Sequence, residues 1–163
     1  MQTNNGELEL YRTEVKPEWV DYNGHMSEAF YVLVFGFASD AFYERIGLWA
    51  PAAESSHVSV YTAEAHIMYL QEIAEGEPLR VTTRVLDFDQ KRIHALHTMY
   101  HGDEPKVLAT EELMLIHVQT APEVRTKPFA PDVESQIRVL YEAQAGLDWP
   151  RYAGRSIGIR RKP

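Results

Sequence analysis

The sequence predicts an α+β fold: a curved antiparallel sheet wrapped around a long apolar helix, with one further helix near the C-terminus. Three observations carry that prediction. The segment from Ser27 to Ile46 is apolar nearly all the way round a helical wheel, so a soluble protein must wrap it on every side. Four strand-like segments follow it, joined by short, turn-rich connections. The pattern then returns once to a helical period, between Pro131 and Ala145. With 163 residues, 45% of them hydrophobic, and no Ser/Gly linker or internal repeat, residues 1–150 fit one domain and 151–163 a basic C-terminal tail.

Taken in order, residues 7–16 (ELELYRTEVK) alternate apolar and polar positions through Leu8, Leu10 and, after a slip, Val15, and Pro17 ends the strand. The helix has Ser27 as a capping residue and Gly47 as a stop, and its length corresponds to about 30 Å. A buried β-hairpin is the competing reading of this segment; length and end signals favour the helix. Gly36 weakens such a helix by about 1 kcal/mol relative to Ala, which fits a close approach of another backbone or a ligand. Strands are expected at about 57–70, 78–88, 91–101 and 106–119, with EIAEGE, DQ and GDEP as the turns of an antiparallel meander paired in sequence order. The last helix sets Val133, Ile137, Leu140 and Tyr141 on one face and lies on the surface.

Zero cysteines remove disulfide frameworks, Cys-ligated zinc, iron–sulfur clusters and thiol nucleophiles. The polar start MQTNNGELEL lacks the apolar stretch of a signal peptide, and no apolar run reaches the roughly 20 residues that span a bilayer. A cytoplasmic protein with no membrane partner is expected. The formal net charge of −8 argues against a nucleic-acid partner. Charge is unevenly spread, because Arg151, Arg155, Arg160, Arg161 and Lys162 face no acid in the tail, which is either a solvated end or an anion-binding arm. No Walker loop or G-x-G-x-x-G occurs. Gly154 to Gly158 spells G-x-S-x-G, but too few residues follow to supply the acid and histidine of a nucleophile elbow. His94, His97 and His101 have helical metal-ligand spacing, yet on a strand His94 points away from the other two, so no metal site is expected.

The densest chemistry lies in Asp21-Tyr22-Asn23-Gly24-His25-Met26, directly before the long helix. A helix start offers free N–H groups and partial positive charge, which suit a developing oxyanion. Asp21, Asn23 and His25 add a carboxylate, an amide and an imidazole; the same residue types also build turns and caps, and composition alone favours that plainer role. Glu64 and His66 share a face of the strand segment AEAHIMY. An unpaired acid among apolar neighbours is costly to bury, so Glu64 belongs at a rim or in chemistry.

The order strand, Asp-x-Asn-Gly-His-Met, long apolar helix, four strands resembles the hotdog-fold acyl-CoA thioesterases over about residues 7–120. The block DYNGHMSEAFY matches the family's D-x-N-x-H-V/M-N-N-x-x-Y signature at Asp21, Asn23, His25 and Tyr31, while Ser27 and Glu28 stand where the family has an Asn pair. The longer wording, with AEAHIMYLQE and the terminal AGRSIGIRR, is similar to the betainyl-CoA thioesterase branch associated with carnitine breakdown. The resemblance implies hydrolysis of a thioester to a free acid and coenzyme A, in that branch betainyl-CoA to betaine, in a site built between subunits of a homodimer or tetramer. Asp21 would attack the carbonyl or activate water, and the Gly24, His25 and Met26 amides would polarise the thioester oxygen. Asn23 and His25 would orient the loop or the water, and Glu64 is the second carboxylate position. No cofactor is implied beyond the coenzyme A of the substrate, and no metal.

Betaine carries a quaternary ammonium, best held over aromatic faces, and Trp19, Tyr22, Phe35, Phe37, Tyr61 and Tyr69 are the candidate cage. Arg155 and Arg92 are the first candidates for the CoA phosphates, with Lys91, Arg125 and Lys127 behind them. Two alternatives stay open: a dehydratase or hydratase using His25 or His66 with Asp21, and a non-catalytic acyl-CoA-binding module.

Overall fold

A computed structural model describes residues 6–48, 57–159 and 161. Strand β1 (Leu8–Glu14) passes through a 3-10 turn at Pro17–Trp19 into helix α1 (Glu28–Arg45), and then come β2 (Val58–Tyr69), β3 (Pro78–Phe88), β4 (Arg92–His101), β5 (Val107–Gln119), the two-residue β6 (Arg125–Thr126) and helix α2 (Pro131–Gln144). The strands form one antiparallel sheet in the order β1-β3-β4-β5-β2, with β6 pairing the end of β5. Among the described residues no helix is long and apolar enough to cross a membrane.

Helix α1 starts after Ser27, whose backbone is in the cap conformation although its side chain makes no capping bond. It stops as the sequence predicts: Gly47 takes a φ of +86°, and the Gly47 and Leu48 N–H groups fold back onto the Glu44 and Tyr43 carbonyls. Tyr31, Val34, Phe35, Ala38 and Phe42 form its buried stripe, packed against Leu79, Val81, Met99 and Ala109 at one end and Ile93, Ala95, Leu113 and Leu115 at the other. Each large apolar side chain fully buried there contributes about 1.5–3 kcal/mol. Val133, Ile137 and Leu140 of α2 close the second end. Gln144, the last residue of α2, is buried and pairs with β3 through its side chain, accepting from the Val85 N–H and donating to the Thr83 carbonyl. It continues the sheet edge beyond Leu8, where β1 begins opposite Thr83.

Two expectations are corrected. Strands β3, β4 and β5 are a meander, but β2 pairs with β5 at the far edge rather than with β3. Residues 70–77 are therefore a crossover, not a hairpin turn. They are held beneath the start of α1 by Met26 N–H to the Ile73 carbonyl (2.9 Å), Gly76 N–H to Val15 O (2.9 Å) and Val15 N–H to Glu77 O (3.0 Å), with Ile73 fully in the core. The second correction concerns α1, which is not wrapped all round: Val32 and Leu33 are each 41% exposed. An all-round apolar helix with one open face calls for a covering surface, which the described residues do not supply.

The C-terminal tail is not simply a solvated end. After α2 the chain crosses the sheet face opposite α1, where Arg84 donates to the Leu147 and Asp148 carbonyls and Ala153 packs on Leu86 and Leu96. Gly154 N–H donates to both oxygens of Glu112, at 2.8 and 3.0 Å. Arg160 and Lys162 lie outside the described residues.

Candidate active site

The loop before α1 is a tight turn closed on itself. Asp21 N–H donates to the His25 carbonyl, Gly24 N–H donates to Asp21 O (both 3.0 Å), and Val20 bridges Met26. Asp21 Oδ1 also accepts the Asn23 N–H at 2.8 Å, an Asx turn, and Gly24 sits at a φ of +80°, where a side chain would be strained. The turn role expected from composition is thus present, and it fixes the Asp21 carboxylate beside the helix start. Ser27 N–H to the Trp19 carbonyl (2.9 Å) ties the loop down.

Of the three amides expected to polarise a carbonyl, two are already used: Gly24 N–H on Asp21 and Met26 N–H on Ile73. His25 N–H is available, and so are the first-turn N–H groups of Glu28 and Ala29, which have no acceptor among the described residues. These three free donors lie beside Asp21, an arrangement that can receive a carbonyl oxygen. The His25 ring lies 3.6 Å from Glu72 on the crossover.

The predicted aromatic cage does not assemble. Trp19 is buried, stacked on Phe30 at 6.0 Å, with Lys16 Nζ already over its ring at 5.0 Å. Tyr22 is 97% exposed at the loop tip. Phe35 is fully buried against His97, and Phe37 packs on Tyr11 of β1. Tyr61 lies on the sheet face away from α1, because a bulge at β2 between Thr62 and Glu64 sets Tyr61 opposite Ile116. Tyr69 reaches the helix start from the sheet: its ring meets Tyr31 edge-on at 5.5 Å and its hydroxyl lies 3.5 Å from the Glu28 carbonyl, while Tyr31 donates to Gln71 O at 3.2 Å.

Glu64 is exposed and faces away from α1 with His66, so within one chain it is not brought to Asp21. It lines a cavity of about 210 Å³ with His66, His94, Glu112 and Arg155. There His94 Nε2 is 2.7 Å from Glu112. His97 is on the opposite face, between Ser39 Oγ (3.0 Å) and Thr83 Oγ1 (2.9 Å), and burial lowers its pKa to about 4. Strand parity therefore separates these histidines as the sequence predicts. Arg92 is held by Asp89 at 2.6 Å.

Sequence reasoning missed Glu111. It is 6% exposed on the α1 side of β5, between Ala109 and Leu113, and burial pushes its carboxyl up to about 7. An acid at an inward position of an apolar strand is a legible signal in TEELMLI, the same signal that drew notice to Glu64.

One helix laid on a curved antiparallel sheet, with a polar turn at the helix start, is the hotdog arrangement, and the chain belongs to the thioesterase-like superfamily, whose family model matches residues 15–137. Its similarity to individual members is long. It is 41% identical over 152 residues to the betainyl-CoA thioesterase of Pseudomonas aeruginosa, covering 93% of this chain and 95% of that protein. It is 39% identical to the L-carnitine dehydrogenase/betainyl-CoA thioesterase of Rhizobium meliloti, across 96% of this chain but 31% of that longer protein. Among solved structures, a Staphylococcus aureus protein in complex with CoA superposes with a TM-score of 0.86 at 28% identity, covering 94% of this chain and 97% of the other. A Pseudomonas putida structure gives 0.81 at 39% identity, covering 95% and 98%.

Proposed function

We propose that this chain hydrolyses acyl-CoA thioesters, with betainyl-CoA as the preferred substrate, at the start of α1. The observation that carries the reading is the 41% identity with the P. aeruginosa betainyl-CoA thioesterase along nearly the whole of both chains. The site adds chemical support. With the thioester oxygen received by the His25, Glu28 and Ala29 N–H groups, negative charge developing on it is stabilised in place. Asp21 then has two routes. Its carboxylate attacks the carbonyl carbon, expels the CoA thiolate and leaves an anhydride for water to open, or it takes a proton from the water that attacks. His25, near Glu72, orients the loop or that water, and Asn23 shapes the turn.

A second copy of the chain completes the site in this reading. Strand β2, twelve residues long, is one edge of the sheet among the described residues, and α1 leaves Val32 and Leu33 uncovered. Pairing two copies there hides both liabilities. It also carries Glu64 of one copy toward the helix of the other. Arg155 is the leading phosphate contact, and Arg92 reaches CoA by exchanging its Asp89 partner for a phosphate. An acyl-CoA substrate supports a cytoplasmic location.

The test is thiol release from betainyl-CoA, acetyl-CoA and a medium-chain acyl-CoA, in wild type and Asp21→Asn. Preference for betainyl-CoA, reduced about a hundredfold to ten-thousandfold in the variant, is the expected result. Turnover indifferent to Asp21→Asn would remove Asp21 from the chemistry. Loss of the acyl-CoA without free thiol would instead mark a hydratase.

A further inference from the structure

The surface of α1 that faces β2 carries a row spaced four, three and four residues apart, Val32, Gly36, Ser39 and Tyr43. Its direction is fixed at two points, since Ser39 touches His97 of β4 and the Tyr43 hydroxyl is shared with Ser39 and with Thr62 of β2. This row lies toward β2, with Tyr43 over Thr62. At the other end of β2 stands Tyr69, which reaches the helix start. At Gly36 the space beside the helix is open, because a Cβ there would meet nothing within 4 Å.

Glu111 lies beneath this row, nearly buried on the α1 side of β5. It pairs in register with Ile67 on one side and His97 on the other, and Phe35, next to Gly36, stacks on that same His97 at 6.1 Å. Tyr69 stands opposite Ala109, so Glu111 lies two residues, about 7 Å, further along the same face than the ring that touches the helix start. Tyr43 and Tyr69 both feel its charge, while no hydrogen bond or ion pair reaches its carboxylate among the described residues. A nearly buried carboxylate without a partner is costly, and a cation would relieve that cost.

We infer that Glu111 is the counter-charge of the acyl pocket, holding a quaternary ammonium group of the acyl chain between its carboxylate and the Tyr69 ring. The inference rests on the hydrolytic reading above and deepens it. A quaternary nitrogen stands two bonds from the thioester carbon, so with the carbonyl at the helix start it lies close to Tyr69, which reaches that start. Having no N–H to donate, it needs charge and aromatic surface rather than hydrogen bonds. Glu111 is thus a specificity-determining residue, separate from the groups that act on the carbonyl.

The experiment compares betainyl-CoA with its neutral carbon isostere, 3,3-dimethylbutanoyl-CoA, in wild type, Glu111→Gln and Glu111→Asp. Expected is a fall of about tenfold or more in kcat/KM for betainyl-CoA in Glu111→Gln, carried by KM, with the isostere changed by less than about twofold. Glu111→Asp keeps the charge and should retain part of the preference; it also serves if the Gln variant does not fold. Equal losses on both substrates, or none on betainyl-CoA, would overturn the inference while leaving the hydrolytic reading intact. A wild type that cleaves the isostere but not betainyl-CoA would overturn the inference and the substrate, leaving thioester hydrolysis standing.

Discussion

Glu111 and His97 are register partners on β5 and β4, and burial moves both toward their neutral forms, with opposite consequences for stability. For Glu111 the folded pKa is about 7 against an ordinary 4.5. Its penalty on folding is absent below pH 4.5, grows between 4.5 and 7, and is full above that window. Glu111→Gln should therefore raise the Tm at pH 8 and leave it nearly unchanged at pH 4.5; a gain of the same size at both pH values would show that ionisation is not its source. For His97 the pKa falls from 6.5 to about 4, so its contribution is present above 6.5 and is lost as pH drops through that range. Replacing His97 by Gln should flatten the loss of Tm on acidification there. Trp19 is a different case: its burial on Phe30 makes Trp19→Ala a core truncation costing about 3–5 kcal/mol, seen as a large fall in Tm. A stable variant with a KM defect confined to cationic substrates would restore Trp19 to the binding site.

At the scale of elements, α1 and the tail each carry a prediction. Leu33→Glu puts a charge on the open face of α1, where two copies would bring like charges together in a dry contact. Sedimentation should show a monomer with unchanged circular dichroism and much reduced thiol release, whereas an intact dimer would move the interface elsewhere. Deleting residues 151–163 removes Ala153 from Leu86 and Leu96 and the Gly154 N–H from Glu112. The expected cost is about 1–3 kcal/mol in denaturant unfolding, beside any change in KM from loss of Arg155. An unchanged unfolding midpoint would mean that the docked tail adds nothing to stability.

Across the whole molecule, most elements were legible because their signals are local. Alternation gave the strands, and Gly47 marked the end of α1. The destination of β2 was not legible, since EIAEGE has the polar, Gly-containing composition of a turn and the role of Ile73 depends on what lies above it. The open face of α1 was hidden for a related reason: apolarity reports that a surface is to be covered, not by which chain. In the candidate site, Asp21, His25 and Tyr69 were singled out from a motif and from residue type, and the fold places all three near the start of α1. The donors were misassigned because hydrogen bonds to Ile73 and within the turn are tertiary facts. Phe35 and Trp19 were misread because an aromatic beside a motif in sequence carries no information about which way its ring faces.

The crossover at 70–77 bears on how such a site can be rebuilt. Met26 gives its amide to Ile73, Val15 exchanges bonds with Gly76 and Glu77, and the His25 ring looks onto Glu72, so the loop and the crossover are two halves of one part. Grafting residues 20–26 alone onto another scaffold leaves the Met26 amide without its acceptor and the loop without its seat. An engineer transplanting this chemistry has to move both stretches together, although some 45 residues of chain separate them.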